Sequence, residues 1–350
     1  MDNRRKSNGL LSMIAWLTMI LLLAACNRPG VNAQPSASPT AVPPVLPSAS
    51  PTAEIVRVYL VISDEAAVGE AARVEDSISA LSAAAGYDFI ILSDVDENDL
   101  EKNVKVAFFL SPDPNLMELV ARYPSIQFVA IGLQGLDEAG NLTRIGPDGF
   151  RGDQVGFIAG VLAASVTPNW RVGAVSLLND SEESASNIGF QNGAMFYCGL
   201  CRPAYPPFNN YPVGVEASAD DLSTLQNSVA SLIDLDVDTI YLSPALSDDA
   251  SAALISDASV NLIGGESPGE ELGDLWIATV RAAPEIAIEE IWDQVQSEEG
   301  GETIPMPIVI EDINPERLTP GRETWILEIL QDLVGGFIDT GVDPATGIAR

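Results

Sequence analysis

Histidine is missing from all 350 residues, and with it the side chain most often used as a general base and as a zinc ligand. Hydrolase triads and zinc sites built on histidine are therefore excluded. Positive charge is scarce too: 17 Lys and Arg stand against 50 Asp and Glu, a formal net charge of −33. A field of that sign repels polyanions, so no nucleic-acid partner is expected. There is no phosphate-cradling glycine loop, because Gly132-Leu-Gln-Gly135 and Gly264-Gly265 lack the spacing and the Lys that such a loop needs. No serine or carboxylate constellation reads as catalytic, and the abundant Asp and Glu are expected to form a solvated surface. Chemistry by serine alone or by paired carboxylates is left open, but the expectation is a protein that is not an enzyme and carries no cofactor and no metal.

Long apolar runs are also missing, with one partial exception. Arg4, Arg5 and Lys6 precede a nearly all-apolar stretch from Leu10 to Leu23, which ends in Leu23-Ala24-Ala25-Cys26. A span needs about 20 apolar residues, and this stretch is shorter and is followed by Asn27, Arg28, Pro29 and Gly30. It has the parts of a leader: a charged start, an apolar middle and a small-residue cleavage site. Leu-Ala-Ala-Cys resembles the lipobox of bacterial lipoprotein precursors, which implies a signal peptide over 1–25 and a diacylglyceryl group on Cys26. The alternative is an ordinary secretory leader with an incidental cysteine. Either way the expected location is the extracytoplasmic side, held at the cell membrane if Cys26 is lipidated. Residues 26–53 are rich in Pro, Ser, Ala and Thr, with the near-repeat Pro35-Ser36-Ala37-Ser38-Pro39-Thr40 and Pro47-Ser48-Ala49-Ser50-Pro51-Thr52. Such a segment buries too little apolar surface to offset its ordering entropy, so it is predicted to be a disordered stalk.

Cysteine is limited to three residues. Beyond Cys26 there are Cys198 and Cys201, a Cys-Gly-Leu-Cys unit in an oxidising compartment, predicted to form a structural disulfide. Thioredoxin-like redox chemistry is the alternative. It fits less well, because this unit follows a helical pattern and precedes Pro203, Pro206 and Pro207.

What is present is alternation. Val56–Ile62 reads as a strand and Ala66–Ala85 as a helix, and the unit repeats through 89–92 and 97–102, 104–110 and 114–123, then 127–131 and 150–165. A second series runs from Arg171 through 184–197, 214–217, 222–233, 239–242, 248–257 and 260–263. Further strands at 276–280 and 307–310 and helices at 284–295 and 323–337 complete it. Short apolar strands alternating with helices predict an α/β protein with two doubly wound parallel-sheet lobes and a hinge. Ligands of such sheets sit beyond the carboxyl ends of the strands, which makes the strand-end residues Asp64, Ser111, Asn179, Ser218, Pro244, Glu266 and Arg281 the candidate ligand-binding set.

The stretches Tyr123-Pro-Ser-Ile-Gln-Phe-Val-Ala-Ile131, Phe150-Arg-Gly-Asp-Gln-Val-Gly-Phe-Ile-Ala-Gly-Val-Leu-Ala-Ala164, Arg171-Val-Gly-Ala-Val175 and Gly189-Phe-Gln-Asn-Gly-Ala194 resemble the basic membrane protein family of solute-binding lipoproteins. The resemblance extends from about Val56 to Val295, and characterised members include nucleoside receptors of ATP-driven importers. It implies a type I periplasmic-binding-protein fold, with lobe 1 from 54–166 plus about 268–302 and lobe 2 from 167–267 plus about 303–350. The crossovers are then expected near Thr167–Trp170, Pro268–Asp274 and Glu302–Pro307. The implied partners are a small polar, nucleoside-like solute in the cleft and a membrane permease; an extracellular sensing subunit is the alternative. The family's strand-end acid appears as Glu266 and its downstream Lys as Arg281, which implies ligand contact; the other reading is a salt bridge pinning the lobes. The loop Ser63-Asp64-Glu65-Ala66-Ala67-Val68-Gly69 lacks the family's phenylalanine, and no aromatic stands near Ala217-Ser218. Asp64 is equally readable as a helix N-cap, and Phe150, Phe157 and Phe190 as core residues on apolar helix faces.

Overall fold

A computed structural model describes residues 55–62, 68–100, 103–218, 221–247, 251, 254, 259–267, 274–344 and 346–350. Cys26, the expected leader and stalk, and Asp64 lie outside the described residues. The first sheet contains β1 (Arg57–Val61), β2 (Asp88–Leu92), β3 (Val104–Phe109), β4 (Gln127–Ile131), β5 (Leu142–Ile145) and β11 (Thr303–Ile304), in the order β11-β5-β4-β3-β1-β2. All its pairings are parallel. The second contains β6 (Val172–Leu177), β7 (Val213–Ala217), β8 (Thr239–Leu242), β9 (Asn261–Gly264), β10 (Trp276–Ala282) and β12 (Ile308–Glu311), in the order β12-β10-β9-β8-β6-β7. Only the β10–β12 pair is antiparallel. In both sheets the first strand lies between the second and the third, so the same winding occurs twice and each sheet reverses direction at that strand.

Burial on both faces explains why the strands are apolar throughout rather than alternating. In β1, Val58 and Leu60 point into a core with α1 (Val68–Ala85) and α7 (Pro284–Gln296), while Tyr59 and Val61 point to the opposite side, over α2 (Glu97–Leu100) and α3 (Leu116–Arg122). In β6, Val172 and Ala174 face α4 (Gly152–Val166), α5 (Ser181–Cys198) and α8 (Pro320–Val334), and Val175 faces α6 (Leu222–Asp234). Phe157 and Phe190 are core residues of that first face.

The lobes divide the chain differently from the sequence expectation. Helix α4, anticipated in lobe 1, is buried from Gly152 to Ser165 and packs against the second sheet. Phe150, just before it, stays with the first core. Strand β10, anticipated in lobe 1, belongs to the second sheet, and β11, anticipated in lobe 2, to the first. The chain therefore crosses between sheets at Gly146–Arg151, Ala282–Ala283 and Pro305–Pro307. Thr167–Trp170 instead lies within the second lobe, where the Thr167 hydroxyl hydrogen-bonds that of Thr239 at 2.6 Å. An apolar helix pattern reveals that a helix is buried, but not which of two sheets buries it.

Helices α4 and α5 meet backbone to backbone. A Cβ at Gly156 would overlap the Ser186 carbonyl oxygen, one at Gly160 the Phe190 oxygen, one at Gly189 the Asp153 oxygen and one at Gly193 the Phe157 oxygen. Glycines four apart along each helix leave the groove that the other fills. A small hairpin of β13 (Val342–Asp343) and β14 (Ile348–Ala349) is held against this pair. The Thr340 hydroxyl donates to the buried Asp153 carboxylate at 2.7 Å, and Asn192 donates to the Thr340 carbonyl at 2.8 Å. On intrinsic propensity alone, Gly→Ala in a helix interior gains about 1 kcal/mol. Gly156→Ala should instead lose about 2 kcal/mol or more in urea unfolding, because a backbone oxygen cannot yield. A neutral or stabilised variant would contradict this packing.

Candidate functional site

The carboxyl ends of the two sheets carry a set of charged groups that bridges the lobes. Helix α1 begins soon after β1 and places Glu70 and Arg73 one turn apart at its start. Glu266 lies two residues beyond β9. Arg73 reaches across to it with a two-pronged contact, Nη1 to Oε2 at 2.5 Å and Nη2 to Oε1 at 3.1 Å. A fork-to-fork pair of this kind fixes orientation as well as adding energy, and here its partners are 193 residues apart in sequence and belong to different lobes.

Beside that pair lies Glu70, with Glu182 and Glu183 of the other lobe near it. Asp180 caps α5, accepting from the Glu182 and Glu183 amides at 2.8 and 3.0 Å, and so fixes those two glutamates in the first turn. Glu70 is pushed up to about 7, chiefly by burial and then by the negative charge of Glu182, with Arg73 opposing and Glu266 and Glu183 adding smaller upward pushes. Glu182 is likewise raised to about 7 by burial, partly offset by a hydrogen bond from the Gly152 backbone. Burial also raises Glu183, against hydrogen bonds that favour its charged form. Among them are those from the Leu177 and Ala245 amides, both at 3.3 Å. Arg73 thus faces Glu266 and Glu70, Glu182 and Glu183 crowd Glu70 from the second lobe, and burial makes two of these glutamates titrate near neutrality.

The strand-end residues expected from sequence fall into two groups. Glu266 is in this cluster, and Pro244 is close behind it: a Cβ on Gly265 would sit 2.6 Å from the Pro244 Cα. Asn179 and Ser218 lie side by side past β6 and β7, which pair Leu177 with Ala217. Asn179 is exposed in a left-handed conformation before the α5 cap, and the Ser218 amide donates to the Thr224 hydroxyl at 2.9 Å. Ser111 is buried just beyond β3 in the first lobe. Arg281 lies away from Glu266: its Nε donates to Glu311 at 2.6 Å and its Nη1 to Glu285 at 2.7 Å and to the Ala282 carbonyl at 3.0 Å. The salt bridge linking the lobes at Glu266 is therefore made by Arg73. Glu70, Arg73, Glu182 and Glu183 were not singled out from sequence. An acid and a base three apart at a helix start, and two acids after a cap, also describe ordinary surface helices.

Cys198 and Cys201 are joined, with Cα atoms 5.0 Å apart, at the carboxyl end of α5. That is the helix end that disfavours a thiolate. Among the described residues no group of three or more Cys, Asp or Glu is arranged to hold a metal ion. Surface grooves of about 560 and 300 Å³ lie on the second lobe beside Leu327 and Trp325, and neither is lined by a strand-end residue.

No family model and no curated relative matches the sequence. Solved structures do match the fold. A solute-binding protein of an ABC transporter system from Aeropyrum pernix K1 aligns over 81% of this chain and 92% of its own, with a TM-score of 0.58 at 15% identity. The fold is that of the type I periplasmic binding proteins. A transcriptional activator of the comK gene from Bacillus halodurans aligns over 82% of this chain and 98% of its own, with a TM-score of 0.54 at 14% identity. GanP, a glucose-galactose binding protein from Geobacillus stearothermophilus, aligns over 77% of this chain and all of its own, with a TM-score of 0.50 at 15% identity. In this type I fold the Arg73–Glu266 bridge lies between the facing strand ends, and Arg281 beside the second crossover. Replacing Arg281 by Met would leave Glu285 and Glu311 without their cation, and should cost about 3 kcal/mol in chemical unfolding. An unchanged midpoint would mean that this crossover does not depend on the arginine.

Proposed function

We propose that this protein is the solute-binding component of an ATP-driven importer, held to the outer face of the cell membrane through Cys26 and closing its two lobes over a small polar solute. The observation that carries the reading is the twice-wound α/β fold, whose strand ends meet across the Arg73–Glu266 bridge. A solute-binding protein of an ABC transporter system and a glucose-galactose binding protein share this architecture, as the Aeropyrum and Geobacillus structures illustrate. Closure of such a cleft is a binding motion in which buried polar groups select the ligand. Ser111, Asn179, Ser218, Pro244 and Glu266 are the strand-end residues we place around the solute, with Asp64, which follows β1 in sequence, as a further candidate. A nucleoside would draw on the basic membrane protein resemblance, with Glu266 accepting from ribose hydroxyls. The missing aromatics at 63–69 and 217–218 weigh towards a less aromatic solute, because bases are commonly held by stacking.

The second reading, an extracellular sensing subunit, is favoured by the same fold serving a transcriptional activator. Direct DNA binding fits poorly with a net charge of −33. Import and sensing share the binding step and differ in the membrane partner, a permease or a receptor.

Calorimetric titration with panels of sugars, amino acids and nucleosides tests the binding step. A member of one panel, present at 100 times its dissociation constant, should stabilise the fold by about 2.7 kcal/mol. Silence from all panels, in both heat and melting temperature, contradicts the proposal. The anchor is tested separately: the wild-type chain should partition with membranes and Cys26→Ser should be released. Equal membrane retention of the two would argue against lipidation.

A further inference from the structure

The interlobe charge cluster carries more acid than the one guanidinium that bridges the lobes, and that bears on when the cleft closes. Glu70 and Arg73 approach from the first lobe, and Glu182, Glu183 and Glu266 from the second. In the closed arrangement Glu70 therefore has three carboxylates of the opposite lobe around it and Arg73 from its own helix. Glu182 meets Asp153 of α4, whose carboxylate Arg151 holds at 2.8 Å, and the Gly152 backbone, together with Asp180 and Glu183 of its own turn, all neighbours within the second lobe. Separating the lobes would return Glu70 to water and take it away from all three acids. It would also break the two-pronged Arg73–Glu266 contact, the ion pair in the cluster that spans the lobes.

We propose that Arg73 and Glu266 form the latch of the cleft, and that closing the empty cleft takes up a proton on Glu70, one turn before Arg73 on α1. The proposal rests on the reading of this cleft as the solute site and concerns its regulation. In the open form Glu70 would titrate near the ordinary value of 4.5, and in the closed form it is raised to about 7; the neighbours that raise Glu182 all belong to its own lobe and stay with it. The closed form then binds more protons between those limits. Its advantage is complete below about 4.5, is lost progressively as pH rises towards 7, and changes little above that. Each carboxylate that takes up a proton changes the closed-to-open ratio by about tenfold per pH unit inside this window. In a mildly acidic medium the empty cleft rests shut. In a neutral one the glutamates repel across it and the latch alone opposes opening.

The test is energy transfer between dyes carried by non-natural residues at exposed Ala84 of the first lobe and exposed Asn227 of the second, in the full chain without solute. From pH 5 to pH 7 the closed-to-open ratio should fall by about 40-fold. The Glu70→Gln variant, whose carboxamide stands in for the protonated acid, should stay closed up to pH 8 with a flat profile. Glu266→Gln, which loses the charge of the latch, should lower the closed fraction about tenfold at pH 6. A flat wild-type profile, a Glu70→Gln variant that still opens with pH, or a Glu266→Gln chain as closed as wild type would each overturn the proposal. Because no solute is present, such a failure leaves the binding reading to its calorimetric panels. Silent panels beside a working latch would instead remove the binding reading alone.

Discussion

The second lobe depends on the contact in which α4 and α5 touch along their backbones. The glycines at 156, 160, 189 and 193 remove the side chains that would hold the two axes apart. The contact also reaches the cleft. Close approach puts the Gly152 amide, at the start of α4, against the Glu182 carboxylate at the start of α5, and it seats the C-terminal hairpin through Asp153, Thr340 and Asn192. Position 152 is itself tight, with the Glu182 carbonyl oxygen 2.6 Å from where a Cβ would stand. Core packing and site geometry are thus set by the same contact.

Electrostatics at the cleft is decided by burial. Glu182 and Glu183 occupy the first turn of α5, where the helix dipole favours a negative charge by about 0.3–1 kcal/mol. Yet both are raised, because removing a carboxylate from water costs several kcal/mol and neighbouring acids add to that cost. Asp153 is a contrasting case: it is fully buried but held by Arg151 at 2.8 and 3.0 Å and by Thr340. A paired acid anchors structure, whereas acids crowded beside a single bridging arginine make an arrangement that responds to its surroundings.

Much of the fold was legible in the sequence, because doubly buried strands leave unbroken apolar runs such as Gln127–Ile131 and Thr239–Leu242, both found where expected. Short strands carrying polar residues were missed, including Leu-Thr-Arg-Ile at 142–145 and the two-residue strand at 303–304. The allegiance of α4 was misread, since the choice between two sheets depends on a crossover at Gly146–Arg151 that no periodicity marks. At the site, Glu266 was visible because it follows an apolar strand. Glu70 and Arg73 were not, because only the folded chain brings a first-helix arginine to an acid 193 residues away. Arg281 shows the same limit from the other side: a strand-end position alone does not tell a ligand contact from an ion pair at a crossover.

The central claim is that the two lobes close over a small solute. Native mass spectrometry of the full chain purified from the cells that produce it tests this most directly. The account predicts one small-molecule adduct per chain, lost on denaturation and restored by incubation with extract of the growth medium. A bare-chain mass both before and after that incubation would contradict it.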